Sequence, residues 1–557
     1  METNTNVTLP LDKVLHWEKA KAGDIYMTQP MGNGQVMEYT WQRAVGEARR
    51  MAAYIKSLNL PPKSNIALLS KNCAHWIMSD LAIWMAGHVT VPLYPTLNAD
   101  TVQYILEHSE AKLLFVGKLD DWDMMKPGVP ADMKCVSYPL SPKNDYETWD
   151  NIIAKFQPLQ EIEKRDPEEL ATIVYTSGST GRPKGVMLSF FNMAYAAEGV
   201  VDALNITTNE RMLSYLPLSH VFERFVVEMG SFYRGFHLFF AESLDTFVTD
   251  LQRAKPTLFL AVPRIWTKFQ SGIFKKLPPE KLEKLLKFPL VNRVIKKKVL
   301  KGLGLEHVKF AGSGSAPLSD DTMAWYRKLG LELLEGYGMS ENFAYSHMTK
   351  PGRSRIGYVG EALPGVDVRI SPEGEVQVKS PATMMGYYKS DEQTRETFTE
   401  DGYLKTGDKG ELDEMGRLKL TGRIKEIFKT SKGKYVAPAP IENKIIAHPH
   451  VEMVCVAGAE YPQPHCMIVL SEDAQAKRSD EAFRQELEAS LTKLLKEVNA
   501  SIEHHEQLQF FAVVSDEWTI ENNFLTPTMK MKRNVIEDAY KGKLEEWYGA
   551  RKPILWQ

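Results

Sequence analysis

Six consecutive residues, Thr176, Ser177, Gly178, Ser179, Thr180 and Gly181, are glycine or carry a hydroxyl, and Lys184 follows in the run IVYTSGSTGRPKGV. Glycine frees the backbone to turn its N–H groups inward, hydroxyls add donors, and the lysine adds a point charge. Together they make a cradle for a polyphosphate. The spacing does not satisfy G-x-x-x-x-G-K-[ST], so it is not a Walker A loop. A flexible polar turn has a similar composition. The apolar run before the loop and the spaced lysine favour the cradle.

Two other stretches, AGSGSAPLS (311–319) and LLEGYGMSEN (333–342), place glycines at the end of apolar runs. Such glycines let a flat ligand approach the backbone closely. Tyr337 offers an aromatic face and Glu341 a carboxylate suited to Mg²⁺. Taken alone, a core tyrosine and a solvated turn acid explain them as well. Asp408, in YLKTGD, could accept from both hydroxyls of a ribose, though turn aspartates are common. His220, in LPLSHVFERF, and Trp266, in AVPRIWTKF, each have an ordinary structural reading. Near the end, NNFLTPTMKMKR carries Lys530, Lys532 and Arg533, which a basic surface tail would also show.

The elements that must position these residues follow an α/β plan. NIALLS (65–70), VTVPLY (89–94), AKLLFVG (111–117), ATIVYT, TLFLAVP (257–263) and HVKFAG read as buried strands separated by helix-length segments. From about 355 the pattern changes to two-residue alternation with Glu-Gly, Asp-Gly and Met-Gly turns, which predicts antiparallel hairpins. A compact α/β remainder follows. It holds strands at VEMVCVAGAE, HCMIVLS and LQFFAVVSDEW, a long amphipathic helix near 477–502, and a last helix over VIEDAYKGKLEEWYG. The boundary falls near Arg423–Lys425.

The chain has 557 residues, 43% hydrophobic and 25% charged, with a formal net charge of −3. That is an ordinary globular composition without a global pull toward nucleic acid. The cysteines, Cys73, Cys135, Cys455 and Cys466, lie in neither metal-site nor disulfide-framework spacing, and fit a reducing cytosol. No signal peptide is expected, because no basic segment followed by an apolar run opens the chain. FERFVVEMGSFYRGFHLFFA is the most apolar stretch, but charges and glycines break it, so a buried helix and strand are expected there.

YTSGSTGRPKGVMLS resembles the phosphate loop of the adenylate-forming superfamily, which includes acyl-CoA synthetases, firefly luciferase and peptide-synthetase adenylation domains. The other motifs follow in family order from about residue 40 to the end. Within the superfamily the chain is most similar to long-chain fatty-acid–CoA ligases. The resemblance implies a large N-terminal domain (1–424) of two α/β subdomains plus a β-rich one, and a small mobile C-terminal α+β domain (425–557). It implies ATP, Mg²⁺ and CoA as cofactors and co-substrates, and a fatty acid as substrate. Thr176–Gly181 and Lys184 would hold phosphates, and Thr176 and Glu341 the Mg²⁺. Gly314, Ser315, Ala316 and Tyr337 would border the adenine, with Glu335, Gly336, Gly338, Met339 and Ser340 in the same nucleotide-binding run. Ser340 stands where the family usually has threonine, and keeps the hydroxyl. Asp408 would hold the ribose and Arg423 the ribose or a phosphate. Lys425 would be the interdomain hinge, and Gly433 would face the pantetheine channel. His220 would line the acyl site, and Trp266 stands where some long-chain ligases gate the fatty-acid tunnel.

Many relatives end in Gly-Lys with an arginine three residues later. Here Met529 replaces the glycine, and Lys530 keeps the K-x-x-R spacing to Arg533 while Lys532 does not. Lys530 is therefore the expected catalytic lysine, acting with Glu341, Thr176 and His220. In an extended segment both lysines would project on one side. Segment 274–301, with nine lysines and Arg293 against Glu280 and Glu283, carries a local charge of +8. It reads either as a solvated amphipathic helix or as a contact with an anionic membrane. The expected enzyme is cytoplasmic; the membrane reading of this segment would place it peripherally on the inner face of a membrane, and a homodimer is compatible with either. Two alternatives stand beside CoA ligation. One is an acyl-AMP ligase that serves a carrier protein or other acceptor. The other is a non-catalytic nucleotide- or acyl-binding protein.

Overall fold

The structure is a computed structural model that describes residues 7–176, 182–316, 318–527 and 529–557. The first apolar runs form an eight-stranded sheet in the order 386–387, 184–189, 170–176, 89–93, 65–69, 113–116, 135–137, 147–148. From Leu170–Thr176 outward the neighbours pair in parallel. Helix Ala74–Met85, the crossover between Asn65–Leu69 and Val89–Leu93, is buried along its whole length. Lys184–Ser189 instead runs antiparallel to Leu170–Thr176. The connection at 177–183 is too short for a crossover, which takes a dozen or more residues, so the chain doubles back and the sheet is mixed.

A nine-stranded sheet begins with the parallel strands 258–261, 310–313 and 333–337. It continues into antiparallel strands that include the hairpins 367–370/375–379 and 404–412/417–423. The Glu-Gly and Met-Gly turns close these hairpins, with Gly374 at φ 84° and Gly416 at φ 73°. A four-stranded sheet (211–214, 237–240, 25–32, 35–40) completes the large N-terminal α/β part. The most apolar stretch is indeed a buried helix and strand, but Arg224–Met229 is wound as a π-helix. Among the described residues no helix is long and apolar enough to cross a membrane.

A 3₁₀ turn, Ile424–Glu426, leads into the smaller C-terminal domain. There strands 451–457, 465–470, 511–513 and 554–556 form a sheet, with its first pair antiparallel and the rest parallel. The long amphipathic helix spans Glu481–Ala500 and packs Leu487, Leu491 and Leu495 into that core. The single last helix expected from the sequence is broken. Arg533–Tyr540 and Leu544–Ala550 are separated by a 3₁₀ turn at Lys541–Lys543, where Gly542 weakens helical continuity.

Candidate active site

Thr176 closes one strand and Lys184 opens the next, and the two are register partners. Ser177, Gly178, Ser179, Thr180 and Gly181, expected to cradle phosphates, lie outside the described residues. Beside the strand pair, the Tyr387 hydroxyl donates to Glu341 Oε1 at 2.6 Å, and Lys184 Nζ stands 5.0 Å from the Tyr387 ring centre. Tyr387 therefore brings Thr176, Lys184 and Glu341 into one corner. The second oxygen of Glu341 takes no hydrogen bond among the described residues. A free carboxylate oxygen and a hydroxyl are the hard donors Mg²⁺ accepts. No cluster of three or more His, Cys, Asp or Glu among the described residues could hold an ion alone. The donor set therefore fits Mg²⁺ that completes its shell with phosphate oxygens.

Asp408 and Arg423 face each other across the hairpin. Arg423 Nε donates to Asp408 Oδ1 at 3.0 Å and the Tyr337 hydroxyl to Oδ2 at 2.7 Å. Both carboxylate oxygens are thus oriented, and each keeps lone-pair capacity. The glycines separate into two kinds. A Cβ at Gly314 or Gly336 would meet nothing closer than 3.6 Å and 3.9 Å, whereas at Gly338 it would strike the Ala344 backbone at 2.5 Å. Gly314 and Gly336 thus leave a path to the backbone, while Gly338 is needed for chain packing. Ser315, exposed like Ala316, sits at φ 69°, a strained conformation of the kind that gathers at ligand clamps. Glu335 is buried, and burial raises its carboxyl to about 7. Met339 and Ser340 lead into the 3₁₀ turn that carries Glu341.

Lys530 comes from the other domain. The extended segment expected there is a tight turn: Leu525 bridges Met531, and Thr526 N donates to Lys530 O at 2.8 Å. Met529, where relatives place glycine, adopts φ 61°. The turn parts the two lysines. Lys532 Nζ pairs with Asn523 Oδ1 at the surface. Lys530, though exposed, lies in the cleft, where desolvation lowers its pKa. Arg423 lowers it further, while Asp408, Glu341 and Glu426 raise it. Arg533 anchors the turn through Glu426 and Glu442. The domains also meet through Arg264–Glu452 and Lys275–Asp473, and through Thr96 Oγ1 donating to Pro527 O at 3.4 Å. Lys425 lies exposed in the 3₁₀ turn between domains. Gly433, at φ 78°, turns the first hairpin of the small domain.

His220 accepts from Phe222 N at Nδ1, so its proton sits on Nε2. Burial, helped by Lys530, lowers its pKa to about 4 and keeps it neutral. Sequence reasoning did not pick out the residues that fix the loop before it, 214–218. Glu223 Oε1 accepts from Ser214 Oγ at 2.8 Å, Tyr215 N at 3.0 Å and Asn72 Nδ2 at 3.3 Å. Asn72 also donates to Leu216 O at 2.6 Å and accepts from Leu218 N at 3.0 Å. Burial raises the Glu223 carboxyl to about 8. Next to it, Arg224 is fully buried against Asp80 and Glu228. The run His-x-x-Glu-Arg, three ionisable residues within five positions of an apolar segment, was the available signal. Trp266 has no exposed surface; its Nε1 donates to Gly312 O at 3.2 Å and its ring packs on Phe259 and Tyr326. It is a buried residue that braces the strand leading to Gly314.

The profile of the family described as AMP-binding enzyme matches residues 17–388, and that of the AMP-binding enzyme C-terminal domain matches 425–552. The chain belongs to the AMP-binding enzyme family. It is an adenylate-forming acyl ligase, of the kind that uses ATP, Mg²⁺ and CoA. Among similar proteins, the long-chain-fatty-acid–CoA ligase FadD15 of Mycobacterium bovis is 30% identical over 94% of each chain. Two solved structures share the fold of this AMP-binding enzyme. The A-PCP didomain of carboxylic acid reductase from Segniliparus rugosus, in complex with AMP, superposes with a TM-score of 0.81 at 23% identity, covering 98% of this chain and 82% of that one. The anthranilate CoA ligase AuaEII, in complex with anthranoyl-AMP, gives 0.78 at 21%, covering 97% and 98%.

Proposed function

We propose that this AMP-binding enzyme is a long-chain fatty-acid–CoA ligase. The observation that carries the reading is the small-domain turn bridged between Leu525 and Met531, which meets the large domain at Thr96 and holds Lys530 within electrostatic reach of Asp408, Glu341 and His220. In the first half-reaction a fatty-acid carboxylate oxygen attacks the α-phosphorus of ATP and pyrophosphate leaves. Neutral His220 donates from Nε2 to the carboxylate, which holds it without neutralising it. The Lys530 ammonium stabilises charge on the phosphoryl group in flight. Asp408, set by Tyr337 and Arg423, accepts from the ribose hydroxyls, and the loops at Gly314–Ala316 and Glu335–Ser340 take the adenine. Thr176 and Glu341 would hold Mg²⁺, which when bound supplies further charge neutralisation.

In the second half-reaction the domain from Lys425 onward turns, Lys530 leaves and the Gly433 loop enters. The CoA thiol gives up its proton to solvent, its sulfur attacks the acyl carbonyl, and the acyl carbon–phosphate oxygen bond breaks so that AMP departs with the bonding pair. No protein nucleophile is required. The fatty-acid substrate and the CoA acceptor are supported by the names of the curated relatives. A carrier-protein acceptor is the second reading, favoured by the carrier-linked didomain among the similar folds. Pyrophosphate release across acids from acetate to oleate, with and without CoA, tests the assignment. Oleate-dependent release followed by CoA-dependent AMP formation is expected. Adenylation without any transfer to CoA would move the enzyme to the carrier class.

A further inference from the structure

The segment 274–301 is absorbed by none of this chemistry. It folds as helices Pro263–Lys276, Pro279–Leu286 and Pro289–Gly302 on the large domain. The last helix buries Val299 and packs Ile295 and Leu300 into the core beneath it. Its opposite face centres on Val294, which is 65% exposed. Lys297, Lys298 and Lys301 lie within two turns of Val294 on that face, and Val291 sits one turn before it. Phe288, at the entry of the helix, is 61% exposed.

A helix kept soluble by its charges alternates their signs, so that pairs form at i,i+4. Pro289–Gly302 contains no acidic residue. Among the described residues, Arg293, Lys296, Lys297, Lys298 and Lys301 make no ion pair. The face therefore joins unpaired cations to large apolar side chains that stand partly in water, on a chain whose overall charge is −3. A phosphate backbone would satisfy the cations and leave the valines in water. A bilayer with anionic headgroups satisfies both, because side chains between the cations reach the acyl boundary.

We propose that this face, Phe288, Val291 and Val294 ringed by Lys297, Lys298 and Lys301, docks the enzyme on an anionic lipid bilayer. The proposal rests on the surface alone and stands apart from the ligase reading. The test is co-sedimentation of the full chain with phosphatidylcholine vesicles, with and without one-quarter phosphatidylglycerol, at low salt. Binding is expected only with the anionic lipid. Lys297→Gln/Lys298→Gln/Lys301→Gln should weaken it roughly 100-fold, at about fivefold per lysine. Phe288→Ser/Val294→Ser should weaken it at least tenfold with the thermal midpoint unchanged. The idea fails if the wild-type chain stays in the supernatant, or if the triple variant sediments as well as wild type. It also fails if the serine pair binds normally, or if the face binds heparin but not vesicles.

Discussion

Arg533 Nε donates to Glu426 Oε2 at 3.2 Å, and its Nη2 to Glu442 Oε2 at 2.6 Å. Glu426 adjoins Lys425 in the interdomain turn, and Arg533 follows Lys530 by three residues. The K-x-x-R spacing is thereby explained: the arginine is a fixed post and the lysine hangs from it into the cleft. Arg533→Met should leave two carboxylates without their partner. The C-terminal domain should unfold at a lower temperature, and adenylation should slow more than thioester formation from supplied acyl-adenylate. Equal loss in both half-reactions would show that Arg533 only stabilises the fold.

Lys530→Ala should slow pyrophosphate release by roughly 10²–10³-fold, the scale of losing one preorganised electrostatic contact. Lys532→Ala, which breaks only the surface pair with Asn523, should cost little. If the effects are reversed in single-turnover adenylation, the wrong lysine has been chosen.

The pH profile follows from two shifts. Desolvation lowers the Lys530 pKa below its usual 10.5, so adenylation should fall on the alkaline side earlier than an ordinary lysine would allow. Lys530→Arg should remove that limb, since arginine stays charged. Burial holds His220 near 4, so no acidic limb should appear between pH 5 and 7 from this ring. Its stability contribution has the sign of a depressed base: complete above about 6.5, and lost as pH falls toward 4. An acidic limb near 6.5 that His220→Asn abolishes would contradict the buried neutral imidazole.

Glu223→Gln keeps the Oε1 acceptor and should preserve activity. Glu223→Ala strands the Tyr215 N–H and Ser214 hydroxyl, and should raise KM for the fatty acid more than for ATP. Nonadditivity with His220→Ala is the diagnostic readout. Additive effects would mean that the Asn72–Glu223 clamp does not position His220.

Met529→Gly should stabilise the chain by about 0.5–1 kcal/mol. Relief of the left-handed strain, about 1–2 kcal/mol, exceeds the extra entropy glycine loses on folding. A calorimetric midpoint that falls instead would show the methionine side chain to be an unrecognised contact.

Much of this was legible in the sequence. Strand-length apolar runs and Gly-closed hairpins mark the sheets, because burial on both faces and left-handed turns leave compositional signs. Thr176 opposite Lys184 and Asp408 opposite Arg423 are hairpin pairings between near neighbours in the chain, whereas Tyr337 beside Asp408 is a long-range fact, with 71 residues separating the two. The resemblance listed them together, but only the fold shows how one orients another. Tyr387 and Asn72 carry no local signal, since each contributes a single group from a distant strand or loop. Lys530 and Lys532 could not be told apart while the segment was read as extended. Periodicity assumes regular backbone, and the turn at Met529 is irregular.

The small domain rests on the large one through Lys275–Asp473, whose side chains are largely in water, through Arg264–Glu452, whose arginine is, and through one long hydrogen bond from Thr96. Such pairs weaken once the Debye length shrinks to about 10 Å near 0.1 M ionic strength. The Arg533 anchor is shielded from that screening. Background electrolyte therefore acts selectively on the enzyme. It loosens the docking of the two domains while leaving the lysine on its post, so ionic strength should shift how the catalytic cycle divides its time between making the adenylate and consuming it.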